Sequence, residues 1–271
     1  MTIEYISFSA WRDWLFCPYK FKITRLDKVR LFEGNEYSTF GTAVHDTSEQ
    51  LVLLEQKNKD NKGIKDDNEF DAVKFFNKRF KEELEKLSSE KQEEISQQTI
   101  ADMKDQGKEL VNLVLPALKE YFGEYELFSA EYELRQPVDN HNNFDFYGFV
   151  DLILKTTDGK YHIIDWKTCS WGWDMEKRTS KEYTYQLTYY KHFLSKQLNI
   201  DPKKVETHFG LLKRTAKKNR VELFRVTSGE RKVNNALNIL DKCVTNVEKK
   251  NFVKNRLSCS KCEFNRTMYC Q

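Results

Sequence analysis

Two carboxylates and a lysine are the residues best placed in this chain to do chemistry. Asp165 and Lys167 lie two residues apart at the end of an apolar segment, and Asp151 lies in the apolar segment before it. Because side chains two apart on a strand point to the same face, Asp165 and Lys167 are expected to project together. The turn signal Thr157-Asp158-Gly159 predicts a hairpin that places Asp151 on the neighbouring strand. Paired carboxylates suit Mg²⁺ or Mn²⁺, and a lysine beside them can orient an attacking water.

The Asp-x-Lys spacing has little specificity by itself. It recurs at Asp60/Lys62, Asp102/Lys104, Asp158/Lys160 and Asp201/Lys203. Only the copy at Asp165 closes an apolar run that follows a second apolar run with its own carboxylate. The alternative interpretation is that both aspartates lie at exposed strand ends and that Lys167 forms a surface ion pair.

Three further side chains could complete such a site. His45 precedes the carboxylates on a predicted helix, and an imidazole can fill a metal shell. Gln186 and Tyr190 lie four residues apart, so they would share one helix face. Each feature is weak alone, because a lone histidine is more often structural or exposed.

The cysteines are distributed unevenly along the chain. Cys17 lies near the start, whereas Cys259, Cys262 and Cys270 lie near the end. Zinc sites usually take their ligands as two compact pairs, so one distant cysteine plus three close ones suits a 4Fe–4S cluster better. A zinc site or free thiols remain open at this stage. The other two are interpreted as buried thiols: Cys169 and Cys243.

A basic segment and two tryptophans are candidate contacts for nucleic acid. Five basic residues occupy the connection between two predicted strands: Lys213, Arg214, Lys217, Lys218 and Arg220. They could contact phosphates or form a solvated turn. Trp171 and Trp173 follow Lys167 closely, where their rings could stack on unpaired bases or fill the base of the sheet.

Composition places the chain among globular proteins without choosing a partner. Its 271 residues are 39% hydrophobic and 32% charged, with a net charge of +3 that neither requires nor excludes nucleic acid. It has no run of about 18 apolar residues and no signal-peptide pattern at the start. We therefore predict no membrane association and a cytoplasmic location, in a host cytoplasm if the chain is of phage origin.

The hydrophobic periodicity predicts the elements that must position these residues. Helical patterns run over residues 10–16, with Ser9 as the expected cap, 38–57 and 69–125, the last as two long helices with Pro116 kinking the second. Residues rich in β-formers predict strands over 127–138, 143–156, 160–167, 205–213 and 220–226, with helices over 181–198 and 230–249. The order favours an α/β fold with a mixed central sheet flanked by helices.

Taken together, the motifs resemble the RecB-family branch of the PD-(D/E)xK nucleases. The chain carries, in order, Ser7-x-Ser9, Cys17-Pro18, Gly41-x-x-x-His45, Gly148-x-x-Asp151, Asp165-x-Lys167-Thr168, Gln186-x-x-x-Tyr190 and three closing cysteines. The match extends from one end to the other, although the stretch between about residues 57 and 125 contributes no motif. The resemblance implies a restriction-endonuclease-like fold.

The resemblance also implies roles for individual residues. His45, Asp151 and Asp165 would bind the metal, with the backbone carbonyl of Trp166 as a further ligand. Lys167 would serve the attacking water. The remaining pair would help to hold the site and the DNA: Gln186 and Tyr190.

A second part of the resemblance concerns the four cysteines. Cys17 together with the three closing cysteines is similar to the iron–sulfur staple of AddB-type nuclease domains and of CRISPR-associated RecB-like exonucleases. The last spacing, from Cys262 to Cys270, is longer here than is usual in those families. We interpret residues 1–271 as one nuclease domain, with a helical insertion at 58–125 that begins with a polar loop at 58–68. The tail, 250–271, would bind the cluster together with Cys17.

The function that the resemblance implies is a metal-dependent deoxyribonuclease that hydrolyses phosphodiester bonds, as an exonuclease on single-stranded or end-exposed DNA. A structure-directed endonuclease is one alternative. A non-catalytic DNA-binding or assembly protein is the other, although a scaffold has no need for a costly cluster of buried carboxylates. The chain has no Gly-x4-Gly-Lys-Ser/Thr loop, so it would act alone or beside a helicase or recombination partner.

Overall fold

A six-stranded mixed sheet forms the centre of the protein. The computed structural model describes residues 4–60, 70–141 and 143–271. The strands are β1 Tyr5–Ile6, β2 Tyr125–Pro137, β3 Asp145–Thr156, β4 Tyr161–Cys169, β5 Val205–Lys213 and β6 Val221–Arg225. Pairing follows the order β1-β3-β4-β5-β6, and β2 pairs with β3. The β1–β3 and β4–β5 pairs are parallel, whereas β2–β3, β3–β4 and β5–β6 are antiparallel.

Helices flank the sheet, which confirms the predicted α/β fold. They are α1 Phe8–Phe16, α2 Pro18–Phe21, α3 Glu36–Asp60, α4 Ala72–Glu85, α5 Ser89–Glu94, α6 Gln97–Phe122, α7 Met175–Thr179, α8 Lys181–Gln197 and α9 Glu230–Glu248. A π-helical turn follows α2 at Lys22–Leu26, and short 3-10 turns occur at Pro202–Lys204 and Arg256–Lys261. Within the described residues, no helix is both long and apolar enough to cross a membrane.

Several boundaries differ from the sequence-based expectation. Ser7, not Ser9, caps α1, because its hydroxyl accepts the backbone N–H of Ala10 at 3.2 Å. The predicted loop at 58–68 is helical as far as Asp60, and residues 61–68 of it lie outside the described residues. Three helices, not two, are described between residue 72 and residue 122.

The alternation of side chains along β4 separates two hydrophobic cores. Ile163 packs into the core that contains α8 and α9 residues such as Leu187 and Leu240. Ile164 and Trp166 point the other way, into the core formed with α3, α4 and α6. Since neighbours on a strand face opposite sides, β4 is buried on both faces and acts as the central support of the molecule.

One edge of β3 pairs with two different strands, β1 at one end and β4 at the other. Strand β2 pairs with β3 along almost its whole length, from residue 145 to residue 156. On the other edge, β1 takes residues 145–146 and β4 takes residues 152–155. The stretch 147–151 is left without a partner strand on that edge, so the sheet opens there.

Close packing of α6 against α4 depends on a glycine. A Cβ atom added at Gly107 would lie 2.1 Å from ring carbons of Phe76, which is fully buried. We predict that Gly107→Ala lowers the free energy of unfolding by about 1–3 kcal/mol, because overpacking outweighs the roughly 1 kcal/mol that alanine gains as a helix former. Urea denaturation would measure the change. Gly229→Ala is the matched control, because a Cβ there meets nothing within 4 Å. Equal stability of the two variants would contradict the packing argument.

Candidate active site

Asp151 and Asp165 face each other at the point where the β3–β4 ladder stops. The last pair of that ladder is Leu152 with Ile164, and the next antiparallel position would be Asp151 with Asp165. In place of a strand-to-strand bond, Asp151 Oδ2 accepts the backbone N–H of Trp166 at 2.7 Å. A side chain thus replaces a ladder hydrogen bond, and the two carboxylates are brought to the opening of the sheet.

Asp165 is the most deeply buried charge of the site. It is 1% exposed, and among the described residues its carboxylate oxygens have no hydrogen-bond partner apart from the ammonium of Lys167. The Lys167 ammonium lies 2.5 Å from Oδ2, on the same face of β4, and forms an ion pair with it. Burial raises the pKa of Asp165 and of Asp151 to about 6 each, against the opposing effect of Lys167. A buried carboxylate pair with few donors is an environment that a metal cation can also stabilise.

Helix α3 brings His45 to the carboxylates. A Cβ atom at Gly41 would lie 3.0 Å from Thr168 Oγ1, so this glycine allows the helix to approach β4 closely. The Nδ1 atom of His45 lies 4.0 Å from Asp151 Oδ2, and 32% of the His45 side chain is exposed. Burial, followed by the charge of Lys167, lowers the pKa of His45 to about 4. The ring is therefore neutral at pH 7, the form that can bind a metal.

Helix α8 supplies Gln186 and Tyr190. The Gln186 side-chain amide donates to the Tyr190 hydroxyl at 3.1 Å. The Tyr190 ring packs over Gly148, where an added Cβ would lie 3.4 Å from it. Burial raises the pKa of Tyr190, and the charge of Asp165 adds to the effect. The hydroxyl thus stays protonated and able to donate toward the acidic cluster.

The structure also places acidic residues near the site that the motifs did not include. Burial raises the pKa of Glu49, and the charges of Asp46 and Asp151 add to it. Burial likewise raises the pKa of Glu131, with contributions from Glu49, Asp46 and Asp165. Glu49 follows His45 by four residues on α3, a helical spacing that could have revealed it. No sequence spacing of this kind points to Glu131. It lies on β2 opposite Asp151 of β3 and has a positive φ of 46°.

The donor atoms at this site fit a hard divalent cation. Asp151 and Asp165 offer carboxylate oxygens, and His45 offers a neutral imidazole nitrogen. Oxygen-rich sites of this kind suit Mg²⁺ and Mn²⁺, which bind substrate phosphates as well. The fit rests on the type of these donors and on the burial of Asp165 beside Asp151, whereas the ligand atoms of these three residues do not all lie within 4.8 Å of one another.

Two of the predicted phosphate contacts are engaged in protein ion pairs. Lys213 is 7% exposed, and its Nζ lies 3.1 Å from Glu222 Oε2. It is therefore not a surface phosphate contact, which corrects the prediction for this residue. Arg220 Nη2 lies 2.6 Å from Glu109 Oε2 on α6.

The other three basic residues remain closer to the surface. Arg214 Nη1 donates to Gln106 Oε1 at 2.8 Å, and its guanidinium lies over the ring of Tyr37, 4.9 Å from the centroid. Lys217 and Lys218 are exposed at the tip of the β5–β6 connection. The tip is thus the part of the basic segment that a phosphate could reach.

The two tryptophans after β4 have opposite environments. Trp173 is 7% exposed and packs against Phe209 and Phe224, with ring centroids 4.9 and 6.3 Å away. This core position corrects the prediction that Trp173 contacts nucleic acid, and matches the alternative that it fills the base of the sheet. Trp171 is 72% exposed and free to stack on a ligand.

The four cysteines predicted as ligands line one cavity: Cys17, Cys259, Cys262 and Cys270. The backbone N–H of Asn255 donates to Cys17 Sγ at 3.3 Å. Within the described part of the chain, no three of these sulfur atoms lie within 4.8 Å of one another. The remaining cysteines lie elsewhere: Cys243 is buried and Cys169 half-buried.

Sheet and site together define the architecture of a nuclease, and comparison with known proteins identifies the family. The chain belongs to the PD-(D/E)XK nuclease superfamily, whose family model matches residues 5–271. Proteins of this superfamily use divalent metals. A search of curated protein sequences found no match.

Two solved structures are similar in fold. A candidate exonuclease from Eubacterium rectale is 14% identical, with a TM-score of 0.58, and the match covers 98% of this chain and 89% of that one. The protein SSO0001 is also 14% identical, covering 79% of this chain and 92% of that one, but its TM-score of 0.37 is too low to support an argument. At such identities the first likeness supports the fold alone.

The carboxylate pair predicts a pH dependence of stability in metal-free protein. Because both folded-state pKa values are raised to about 6, the folded chain binds more protons than the unfolded chain between about pH 4 and pH 6. The free energy of unfolding should therefore fall as the pH rises through this window, by several kcal/mol, at about 1.4 kcal/mol per pKa unit for each carboxylate. Urea denaturation in chelator would measure it. The double variant Asp151→Asn/Asp165→Asn should lack this component, and an identical pH profile in the two proteins would contradict the assignment.

Proposed function

We propose that this protein is a metal-dependent DNA nuclease of the RecB-family branch, which hydrolyses phosphodiester bonds as an exonuclease on single-stranded or end-exposed DNA. The observation that carries the proposal is the buried Asp165 carboxylate, which lies across from Asp151 and has the Lys167 ammonium as its one hydrogen-bond or ion-pair partner among the described residues. Two buried carboxylates that face one ammonium can be stabilised further by a metal cation.

The proposed metal ligands are His45, Asp151, Asp165 and the backbone carbonyl of Trp166. When bound, Mg²⁺ or Mn²⁺ would act as a Lewis acid toward the scissile phosphate and lower the pKa of a bound water. The neutral His45 ring offers a lone pair at pH 7 because its pKa is lowered to about 4. The Trp166 N–H fixes the orientation of the Asp151 carboxylate.

Lys167 is the proposed partner of the attacking water. Its ammonium already lies beside Asp165, so it can orient the water and offset charge that develops on the phosphate oxygens. Gln186 and Tyr190 would hold the edge of the site and a DNA phosphate, because the Tyr190 hydroxyl accepts from Gln186 and keeps its own proton to donate. The chain thus supplies positioning and charge, which are the main needs of phosphoryl transfer.

The proposed DNA contacts are directed at the backbone and at unpaired bases. Lys217 and Lys218 are exposed at the tip of the β5–β6 connection, with Arg214 and Arg220 at its base. The exposed ring of Trp171 follows Lys167 by four residues and could stack on an unpaired base. The name of the Eubacterium rectale protein also favours an exonuclease. We expect little sequence preference and a strong dependence on salt.

The tail is proposed to hold a 4Fe–4S cluster with Cys17, Cys259, Cys262 and Cys270. Four thiolates around one zinc ion, at about 2.3 Å each, would lie about 3.8 Å apart, closer than the arrangement of these sulfurs. A four-iron cube holds its four thiolates farther apart than a single zinc ion does, which favours the cluster. The cluster would tie α2 and the end of α1 to the tail and close a long loop.

We also propose boundaries for the parts of the chain and a location in the cell. Residues 1–271 would form one nuclease domain, with 58–125 as a helical insertion and 250–271 as the cluster-binding tail. We propose that it acts in the cytoplasm, including that of a phage-infected host, alone or beside a helicase or recombination partner.

We predict that Lys167→Ala lowers the cleavage rate by a factor on the order of 10²–10⁴, because the water loses its partner. Affinity for DNA should change little, whereas the free energy of unfolding of the metal-free protein should fall, because Lys167 is the ammonium that pairs with buried Asp165. The measurement is release of label from end-labelled single-stranded DNA with Mn²⁺ or Mg²⁺, together with binding by fluorescence anisotropy. Lys249→Ala, at an exposed position after α9, is the matched control.

The same assay separates the possible modes of cleavage. Linear single strands should be degraded and circular ones spared if the protein is an exonuclease. Cleavage of circles would replace this proposal with a structure-directed endonuclease. Full activity of the Lys167→Ala variant would refute the assignment of the site.

We predict that Cys17→Ser removes the cluster, because one of four thiolates is lost. Anaerobically purified wild-type protein should be brown, with absorbance near roughly 400 nm and about four irons per chain. Cys243→Ser serves as the control, because this buried thiol lies outside the proposed cluster. A colourless wild-type protein that contains one zinc ion per chain would overturn the cluster assignment.

A further inference from the structure

A second group of metal-ligating side chains lies at the other end of β4 and β5. Atoms of His162, Glu206 and His208 that could bind a metal all lie within 4.8 Å of one another, and no other group of this kind is found in the residues that the structure describes. His162 and Glu206 are register partners in the parallel β4–β5 pair, and His208 lies two residues further along β5. The three side chains therefore share one face of the sheet.

This group is separate from the candidate active site. His162 precedes Asp165 by three residues on β4, which corresponds to about 10 Å along a strand. An odd spacing also puts the two side chains on opposite faces of the sheet. The group lines an open cavity of about 410 Å³ together with Tyr121 and Phe122 from the end of α6.

The two imidazoles already face each other. His162 Nδ1 lies 3.1 Å from His208 Nε2, so the two nitrogens share one proton. The other ring nitrogen of His208, Nδ1, is buried and has no hydrogen-bond partner, although the residue is only 2% exposed. Within the described residues, hydrogen bonding therefore satisfies only one of the two nitrogens of this buried ring.

His162 has the outer support that metal-binding histidines usually have. Its Nε2 lies 2.9 Å from Thr156 Oγ1, and that hydroxyl in turn donates to Asp158 Oδ1 at 2.5 Å. A hydrogen bond on the second ring nitrogen fixes the tautomer and the orientation of a ligating ring. Nδ1 of His162 is thereby left directed at His208.

We propose that His162, Glu206 and His208 form a second metal site, selective for a borderline d-block cation such as Zn²⁺ and distinct from the oxygen-rich active site. Two imidazoles and one carboxylate are a common ligand set for zinc, with water in the fourth position. On binding, the neutral His208 ring changes tautomer: its proton leaves Nε2 and a proton is held at Nδ1 instead, so Nδ1 of His162 and Nε2 of His208 both offer lone pairs to the cation. Two nitrogens bonded to one zinc at about 2.0–2.1 Å lie about 3.3 Å apart, close to the separation seen here.

Two basic side chains compete with the cation for Glu206. Lys160 Nζ lies 3.4 Å and Arg225 Nη2 lies 3.3 Å from Glu206 Oε1. Both are substantially exposed, with 42% and 54% of the side chain accessible, so they can turn away into solvent. Removing the charge of Arg225 should therefore strengthen metal binding, an outcome that a purely structural histidine pair does not predict.

The role of the site is to join three elements. A cation there would connect β4 and β5 beneath the end of α6, whose Tyr121 and Phe122 rings contact His208 at centroid distances of 5.5 and 5.1 Å. Binding to the folded state alone raises the free energy of unfolding, and the gain grows with the logarithm of the free metal concentration above the Kd. We expect Zn²⁺ to raise the midpoint of thermal unfolding without being needed for cleavage.

The test uses the full chain with its cysteine site loaded and measures Zn²⁺ affinity by calorimetry and Co²⁺ binding by visible absorption. One equivalent of Zn²⁺ should bind, and Co²⁺ should give a spectrum without the sulfur-to-metal charge-transfer band of cysteine sites. Thr156→Val should weaken affinity by about 10- to 100-fold through loss of the support on His162. Glu206→Gln should weaken it more, and Arg225→Gln should strengthen it.

Matched variants separate a specific loss of Zn²⁺ binding from misfolding and from effects of histidines elsewhere. Glu206→Gln keeps the size of a partly exposed side chain, so it remains informative if His208→Gln at a buried position does not fold. His192→Gln removes an imidazole on α8, outside the group, and should leave Zn²⁺ binding unchanged, as should Asp165→Asn in the active site. Unchanged affinity in Glu206→Gln, or equal loss in His192→Gln, would overturn the proposal.

Discussion

The structure depends on one constraint, which is the burial of two carboxylates where strand pairing ends. A buried carboxylate is costly unless it is paired, hydrogen-bonded or bound to a cation. Asp151 meets this requirement partly through the Trp166 N–H, and Asp165 only through the neighbouring ammonium of Lys167. The ladder between β3 and β4 stops at Leu152 and Ile164, so these groups have space around them instead of a strand. The protein tolerates this arrangement because β4 is held on both faces by separate cores.

The two helices that complete the site approach the sheet through glycines. Gly41 lets α3 lie against Thr168, and Gly148 leaves room for the Tyr190 ring of α8. Both glycines belong to the motifs that carry His45 and Asp151. At Gly41 the spacing from His45 thus reflects a packing requirement, since a Cβ there would lie only 3.0 Å from Thr168 Oγ1 and would push α3 away from the carboxylates. A Cβ at Gly148 would make an ordinary contact with the Tyr190 ring at 3.4 Å, so the constraint there is weaker.

Sequence patterns predicted the helices and strands with strong periodicity. They missed the short strand β1 and the burial of side chains that depends on tertiary contacts. Strand β4 and the turn at Gly159 follow from apolar runs and turn chemistry, and the mixed sheet follows from their order. Strand β1 has only two residues, which is too short for a period to appear. Lys213 and Trp173 looked available because they flank a loop, yet an ion pair and an aromatic cluster bury them. Burial by a distant partner leaves no local signal, and the same reason explains why Glu131 was not found.

The proposed sites in this chain differ in the softness of their donor atoms, and that difference has a consequence for selectivity. Oxygen donors dominate around Asp151 and Asp165, imidazoles around His208, and thiols in the tail. Zinc binds nitrogen and sulfur donors more tightly than magnesium or manganese does, so a soft donor added to the active site would favour the wrong ion. Here the neutral ring of His45 is the one soft donor offered to the proposed active-site ion, against two carboxylates. Spatial separation of the three donor sets would therefore let the proposed sites select different metals by the type of their donor atoms.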